Sequence, residues 1–426
     1  MDKTIFGLDF GTTNSALSIN NGNSVKMVDI YEDGVTNKTL KSVVYYDPEE
    51  KEFFVGQKAV NQYVDNDGYG RYIQSIKTFL PDLSFSYTTI GNRKYTLEDL
   101  ISMILSNIKK AGEELINKEV DEVVLGRPVV FSENPENDRE AQNRLIKAAK
   151  IAGFKNIHMQ YEPIAAALFY ESQLKENEEK IVLVGDFGGG TSDFTVIKVK
   201  GGKHKSTDDR KEDILSIGGV YIGGNTFDSI IMWDKIAKHF GRNVAISEPM
   251  FQTYYGLPYT ISSKLRQWHL MPQLRTPAIL NDLKRLKAFA DNEKPIQNLI
   301  SLVEDNHGYM LFQSIEKAKV ELSSQIESDI IYEYFDLQII ENITRAEFNA
   351  GIIDDVEKII SCVESVITDA NIDVNKIDEV LLTGGSSYIP FIQRFFKEKF
   401  GQEKVIHMDA FTSVAHGLGI YGNSVS

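Results

Sequence analysis

The chain has 426 residues, 42% hydrophobic and 25% charged, a balance that belongs to a folded globular protein and excludes a disordered or collagen-like one. At about 150 residues per domain it makes two to three domains, with core enough to need no disulfide or metal staples. With 61 acidic against 46 basic side chains the net charge is −15, which opposes general electrostatic capture of nucleic acid or an anionic membrane.

Thr4 to Phe10 reads as a strand, Ala16 to Ile19 as a second, and Asn20-Asn21-Gly22-Asn23 as a turn into a third at Ser24 to Val28. Leu97, Leu100, Ile101, Ile104, Leu105 and Ile108 fall at helical spacing behind Thr96, an N-cap with Asp99 three residues on. A strand at Val123 to Leu125, a helix around Arg139 to Ala152, a strand at Asn156 to Met159 and a helix from Pro163 to about Leu174 follow, the alternation of an α/β layer architecture. The run from Lys175 to Lys180 has no apolar residue and reads as an exposed joint between two halves. Beyond it the opening repeats: Ile181 to Phe187, Phe194 to Val199 and Ile214 to Ile217 are strands, with Gly201-Gly202 in a hairpin loop.

Both halves place an aspartate at the end of a first strand and follow it with a Gly/Thr bend: Asp9-Phe10-Gly11-Thr12-Thr13 and Asp186-Phe187-Gly188-Gly189-Gly190-Thr191. An internal duplication facing a shared cleft is the simplest reading. From Arg242 to Asn306 a helical subdomain is expected, including a helix over Leu274 to Ala290; Tyr254-Tyr255, Trp268 and Met271 there serve either as its core or as a partner surface. A long helix over Ala346 to Ala370, a strand at Glu379 to Thr383, a Gly-Gly bend, a helix from Ile389 to Phe400 and a closing helix over Ser413 to Tyr421 complete the chain.

Glycine at a strand end lets successive backbone N–H groups turn inward as an anion nest. Gly11, Thr12, Thr13 and Asn14 form one such wall, and Gly188, Gly189, Gly190 and Thr191 the other. Asp9, Asp186 and Asp193 would repel a phosphate unless a cation intervened, which argues for Mg²⁺. Gly384-Gly385-Ser386 after a strand and Gly223-Gly224-Asn225 before a helix are two further candidates. No P-loop and no strand-linked Gly-x-Gly-x-x-Gly occurs, so the cradle is of another kind. The single cysteine, Cys362, has no metal-ligand spacing around it and is expected to be a small buried hydrophobe. No stretch approaches the ~18 apolar residues of a membrane span, and the N-terminus has no secretory signal, so a cytoplasmic protein with neither a membrane nor a nucleic-acid partner is expected.

These motifs resemble the ATPase domain of the 70-kDa heat-shock protein family, the DnaK-type chaperones, within the actin-like ATPase superfamily. The resemblance covers nearly the whole chain and rests on Gly7 to Ser15, Asp186 to Asp193, the hinge Glu162-Pro163-Ile164-Ala165-Ala166-Ala167-Leu168, Glu316 to Ser324 and Gly384-Gly385-Ser386. It implies an α/β fold of two duplicated ribonuclease-H-like lobes around a nucleotide cleft. Lobe I would span 1–176 with an inserted subdomain at about 39–114, and lobe II 177–426 with a mainly helical insertion at about 228–312, the final helix packing back on lobe I.

The resemblance also implies roles. Lys77, Glu162, Asp186 and Thr191 would be catalytic, and Asp9 and Asp186 would hold Mg²⁺ largely through water. Gly223, Gly224 and Asn225 would approach the phosphates of ATP or ADP, and Glu316, Lys319, Ser323, Gly384, Gly385, Ser386 and Tyr388 the nucleoside. Read without it, Lys77 is a surface lysine. The chain departs from the pattern in carrying Tyr388 where many members have an arginine against the adenine. Beyond the switch proline, Pro128, it has a longer loop that leaves Gln142 at the expected arginine's place and displaces Arg139. The ending from Asp409 to Gly417 is unusual, and no peptide-binding domain follows, so a naturally short, divergent member is expected. The function implied is a slow Mg²⁺-dependent ATPase with a protein partner. Alternatives are a nucleotide-gated or filament-forming module with little hydrolysis and, less favoured for want of an acceptor-site motif, a small-molecule kinase.

Overall fold

In the computed structural model, which describes residues 4–32, 35–66, 68–202, 211–247, 255–409 and 412–425, Ile5–Phe10 (β1) is a strand buried along nearly its whole length. Its apolar run has to be covered on both faces. Asn14–Asn20 (β2) pairs with it antiparallel, and Val25–Met27 (β3) pairs with β2 across the Asn-Gly turn. On the other side Glu122–Arg127 (β4) lies parallel to β1, and Asn156–Tyr161 (β5) parallel to β4. The order is β5-β4-β1-β2-β3, with Leu40–Lys41 also on β2.

The second sheet repeats this plan. Glu179–Phe187 (β6) pairs antiparallel with Ser192–Lys200 (β7), which pairs antiparallel with Ile214–Val220 (β8). Glu379–Thr383 (β9) lies parallel to β6, and Val405–His407 (β10) parallel to β9. The order β8-β7-β6-β9-β10 matches the first sheet strand for strand and direction for direction. The duplication read from two glycine bends is therefore present in the backbone. One boundary differs: β6 begins at Glu179, inside the polar run read as a joint, because its edge charges are paired, Lys180 Nζ with Glu379 Oε1 at 2.5 Å.

Helices cover these sheets. Leu97–Ile116 (α1) starts in a capping box: Thr96 Oγ1 accepts from Asp99 N, and Thr96 N donates to Asp99 Oδ2. Its Leu100, Ile101, Ile104, Leu105 and Ile108 are buried against Phe6, Leu8 and Leu17 in one core. Pro135–Ile151 (α2) begins four residues before the expected Arg139, since Asn134 caps it and Pro135 occupies its first turn. Glu162–Glu171 (α3), Pro390–Phe400 (α4) and Ser413–Tyr421 (α5) complete the layer. α5 lies on α3 and on the first sheet, where Ser18 Oγ donates to Ala415 O at 2.6 Å and Asn20 Nδ2 to Gly419 O at 2.7 Å.

By packing, the protein forms two compact units. Met1–Asn66, Gly70–Gly224 and Glu357–Ser426 make the first, which holds both sheets; Asp67–Tyr69 and Asn225–Val356 make the second. The second unit builds a core from Leu283, Leu286, Ile296, Leu299, Ile300 and Ile315 on the helices Pro277–Ala288, Glu293–Glu304 and Gly308–Glu321, followed by a hairpin of Glu327–Tyr334 with Leu337–Thr344. The helix expected from Leu274 starts at Pro277, capped by Thr276, because Pro272 keeps the preceding turns tighter than an α-helix. Met271 is buried and belongs to the core; Tyr254 and the Trp268 side chain lie outside the described residues. Cys362, on the helix Arg345–Asp369, is half-buried, and burial pushes its thiol up to about 11. Among the described residues no helix is long and apolar enough to cross a membrane.

Candidate nucleotide site

Equivalent strands deliver equivalent carboxylates. Asp9 lies near the end of β1 and Asp186 near the end of β6, each just before its glycine bend. The second bend is closed by Gly188 N donating to Thr191 O at 2.9 Å. The bends face each other: a Cβ built on Gly189 would stand 3.2 Å from Thr13 Oγ1 and 3.3 Å from Thr12 Cβ. Gly223 and Gly224 close in on the same loop, with Gly224 N donating to Gly188 O at 3.1 Å. Gly11, Thr12, Thr13, Asn14, Gly188, Gly189, Gly190, Thr191, Gly223 and Gly224 all belong to the first unit.

Lys77 enters from a turn that Ser75 makes with φ 50°, a left-handed conformation uncommon outside glycine. Its Nζ donates to Glu162 Oε1 at 2.7 Å, with the two side chains only 10% and 9% exposed. The surface position that Lys77 has when read alone is thus corrected: it is buried, paired with Glu162 and in the field of Asp9 and Asp186. Burial works against its ammonium, but Glu162, Asp9 and Asp186 together hold its pKa above the ordinary range. Burial, and then the charge of Glu162, push Asp9 well above the carboxylate range and Asp186 up to about 8. Asp193, directly across the ladder from Asp186, is pushed up to about 7 by burial and then Glu162. Its Oδ2 accepts from Thr191 Oγ1 at 2.9 Å and its Oδ1 from Val129 N at 3.0 Å.

This chemistry has an excess of negative charge that one ammonium does not balance, and a divalent cation fits it. Among the described residues no cluster of three or more His, Cys, Asp or Glu has direct metal-ligand geometry.

At the end of β9 the chain turns again beside this cluster, since Thr383 is in register with Asp186. Gly384 has φ 84°, and a Cβ there would stand 2.1 Å from Phe187 O, so only glycine lets the Gly385–Tyr388 turn pass under the phosphate bend. Ser386 is buried, while Tyr388 is 42% exposed with its ring stacked on His407, centroids 5.2 Å apart and planes at 18°. Asn225, Glu316, Lys319 and Ser323 belong to the second unit. Within it, Lys319 Nζ lies 2.8 Å from Asp228 Oδ1, and burial of that carboxylate pushes its pKa up to about 6.

Sequence reasoning gave Asp193 no separate role and missed Arg127. Arg127 is buried at the end of β4 and fans out over its neighbours: Nη2 reaches both Asp138 oxygens at 3.0 and 2.9 Å, Nη1 donates to Gln142 Oε1 at 2.5 Å and Nε to Pro128 O at 3.0 Å. Its guanidinium also lies over the Phe131 and Tyr161 rings. Arg139 is exposed, and it is Arg127 that stands beside Gln142. A charged residue directly before proline in the apolar run Val123 to Gly126 was the available signal.

Two duplicated sheets with a phosphate-type bend at the end of each first strand define an actin-like ATPase fold. A family model described as Hsp70 protein matches residues 5–249 and 285–425, and the chain belongs to that family. Among curated relatives, it is 28% identical over 424 residues to "Chaperone protein DnaK" of Thermosipho melanesiensis and 28% identical over 425 residues to "Chaperone protein DnaK" of Thermosipho africanus. Each alignment covers 98% of this chain and 58% of the relative, so the chain spans little more than half the length of these proteins.

Proposed function

We propose that the protein binds ATP with Mg²⁺ and hydrolyses it slowly, as the nucleotide-dependent module of a chaperone-type machine acting on a protein partner. The observation that carries this reading is the buried Lys77–Glu162 pair inside a carboxylate cluster, flanked by two facing glycine bends. Backbone amides of Gly11 to Asn14 and of Gly188 to Thr191, with Gly223, Gly224 and Asn225, bind the phosphates. Lys77 is aimed by Glu162, offsets charge on the transferred phosphoryl group and orients the attacking water. Thr191 lies beside the γ-phosphate, and the paired Asp193 keeps its hydroxyl oriented. Asp9 and Asp186 hold Mg²⁺ through its water shell; when bound, the ion supplies charge neutralisation of the phosphates. Glu316, Lys319, Ser323, Gly384, Gly385, Ser386 and Tyr388 receive the nucleoside. Each of the lobes at 1–176 and 177–426 contributes one bend.

The test is single-turnover ATP hydrolysis with and without Mg²⁺, comparing the wild type with Lys77→Ala. Mg²⁺-dependent turnover that the variant loses supports the reading. Tight ATP binding with no turnover in either protein supports a nucleotide-gated binding module instead.

A further inference from the structure

The Gly384 turn carries a feature that belongs to this chain. Tyr388 is 42% exposed, and its ring rests on His407, the last residue of β10. His407 is in register with Leu382, one residue before Thr383, which is itself in register with Asp186. The stacked pair therefore stands in the same sheet as the phosphate cluster, at the carboxyl ends of parallel strands, where open α/β sheets bind their ligands. Both His407 ring nitrogens are shut off from solvent, and among the described residues no donor or acceptor reaches either one. An imidazole that makes no hydrogen bond contributes as a flat plate. Desolvation, with Lys397 nearby, holds its pKa below the ordinary histidine range, so the plate is uncharged at neutral pH.

We propose that His407 is a positioning residue for recognition of the nucleotide's base: it holds the Tyr388 ring flat and pre-assembled, so that a purine adds to the stack as its third member. The inference rests on the nucleotide reading above and deepens it by naming how the base is held. A lone half-exposed tyrosine would sample several rotamers, and ordering it would cost binding energy; His407 removes that cost in advance. The stack also substitutes for a cation over the base, since offset aromatic stacking needs no charge.

The test compares the Kd of ADP and of pyrophosphate by calorimetry for the wild type, Tyr388→Ala, His407→Ala, His407→Phe and the double alanine variant. His407→Ala is expected to weaken ADP by about 5- to 10-fold while pyrophosphate is unchanged, as stacking worth ~1–1.4 kcal/mol requires. His407→Phe, which keeps the plate and removes the buried nitrogens, should bind ADP within about twofold of wild type. The double variant should be no weaker than Tyr388→Ala, because the two rings act as one unit. Equal ADP affinity in wild type and His407→Ala overturns the inference and leaves nucleotide binding standing. Equal loss of ADP and pyrophosphate also overturns it, since that is a damaged phosphate bend. A wild type that binds neither compound overturns the nucleotide reading and this inference with it.

Discussion

Lys77 and Glu162 are 85 residues apart in the chain and meet at 2.7 Å. Two local features bring them together. The left-handed residue Ser75 throws Ile76–Phe79 into a tight turn that aims Lys77 inward, and Glu162 opens α3, where the positive end of the helix dipole favours a carboxylate. Burial works against the ammonium, and the charges of Glu162, Asp9 and Asp186 outweigh it and keep the lysine charged. The pair is thus a charged group held ready in a buried, water-poor pocket, the kind of group that the proposed hydrolysis calls for.

Lys77→Ala is expected to retain ATP affinity within about threefold and to lower the single-turnover rate by about 10²–10³, the size of effect that removing one preorganised donor has elsewhere. Rapid-quench measurement at saturating ATP and Mg²⁺ reads both quantities. An unchanged rate would remove Lys77 from the mechanism.

Asp193→Asn isolates the cost of the carboxylate cluster. In the folded protein Asp193 is pushed up to about 7 from its ordinary value of 3.8. The folded state therefore favours the protonated acid; the resulting destabilisation is absent below pH ~4, grows as pH rises towards 7 and is complete above it. Asparagine keeps an oxygen for Val129 N and carries no charge. Thermal melts in chelator should show the variant gaining on wild type from pH 5 to pH 8, by on the order of 2 kcal/mol at the upper end. A constant difference across that range would mean that Asp193 ionises freely.

The legible parts of the molecule were those with a local signature. Leu97 to Ile108 announced α1 by period and Thr96 by its cap, and the paired Asp-x-Gly bends announced the duplicated sheets. Lys77 was legible only through the family resemblance, because its burial depends on Glu162 and two aspartates contributed by other strands. Arg127 showed only as a charge before proline; its partners Asp138 and Gln142 lie beyond a loop whose length hid the spacing. The Tyr388–His407 stack requires knowing that β9 and β10 are neighbours, a non-local fact that no window of sequence contains.

Gly384→Ala should be destabilising by about 2–4 kcal/mol, since the added methyl group meets the Phe187 backbone carbonyl at 2.1 Å and the residue already sits at φ 84°. The displaced carbonyl belongs to the residue directly before Gly188. Nucleotide affinity should therefore fall even at temperatures where the variant is folded, which urea unfolding and calorimetry on the same sample will separate. Neutral behaviour would show that the turn relaxes away from β6 without cost.

Arg127→Lys tests whether the arginine fan or its charge matters. Lysine keeps the charge but cannot grip both Asp138 oxygens, Gln142 and the Pro128 carbonyl at once, nor lie flat over Phe131 and Tyr161. The expected loss is about 2–4 kcal/mol in urea unfolding, nearly independent of salt because the group is buried. The effect should also reach the phosphate side. Arg127 fixes the carbonyls of Pro128 and, at 3.4 Å, Val129, and the Val129 N–H in turn donates to Asp193. Amide exchange at Val129 should accelerate by at least tenfold in Arg127→Lys, while exchange at Leu105 in α1, which shares none of these bonds, follows only the global loss. Equal acceleration at both amides would reduce Arg127 to a general packing residue, whereas selective acceleration at Val129 makes it the brace that sets the hydrogen bond to Asp193.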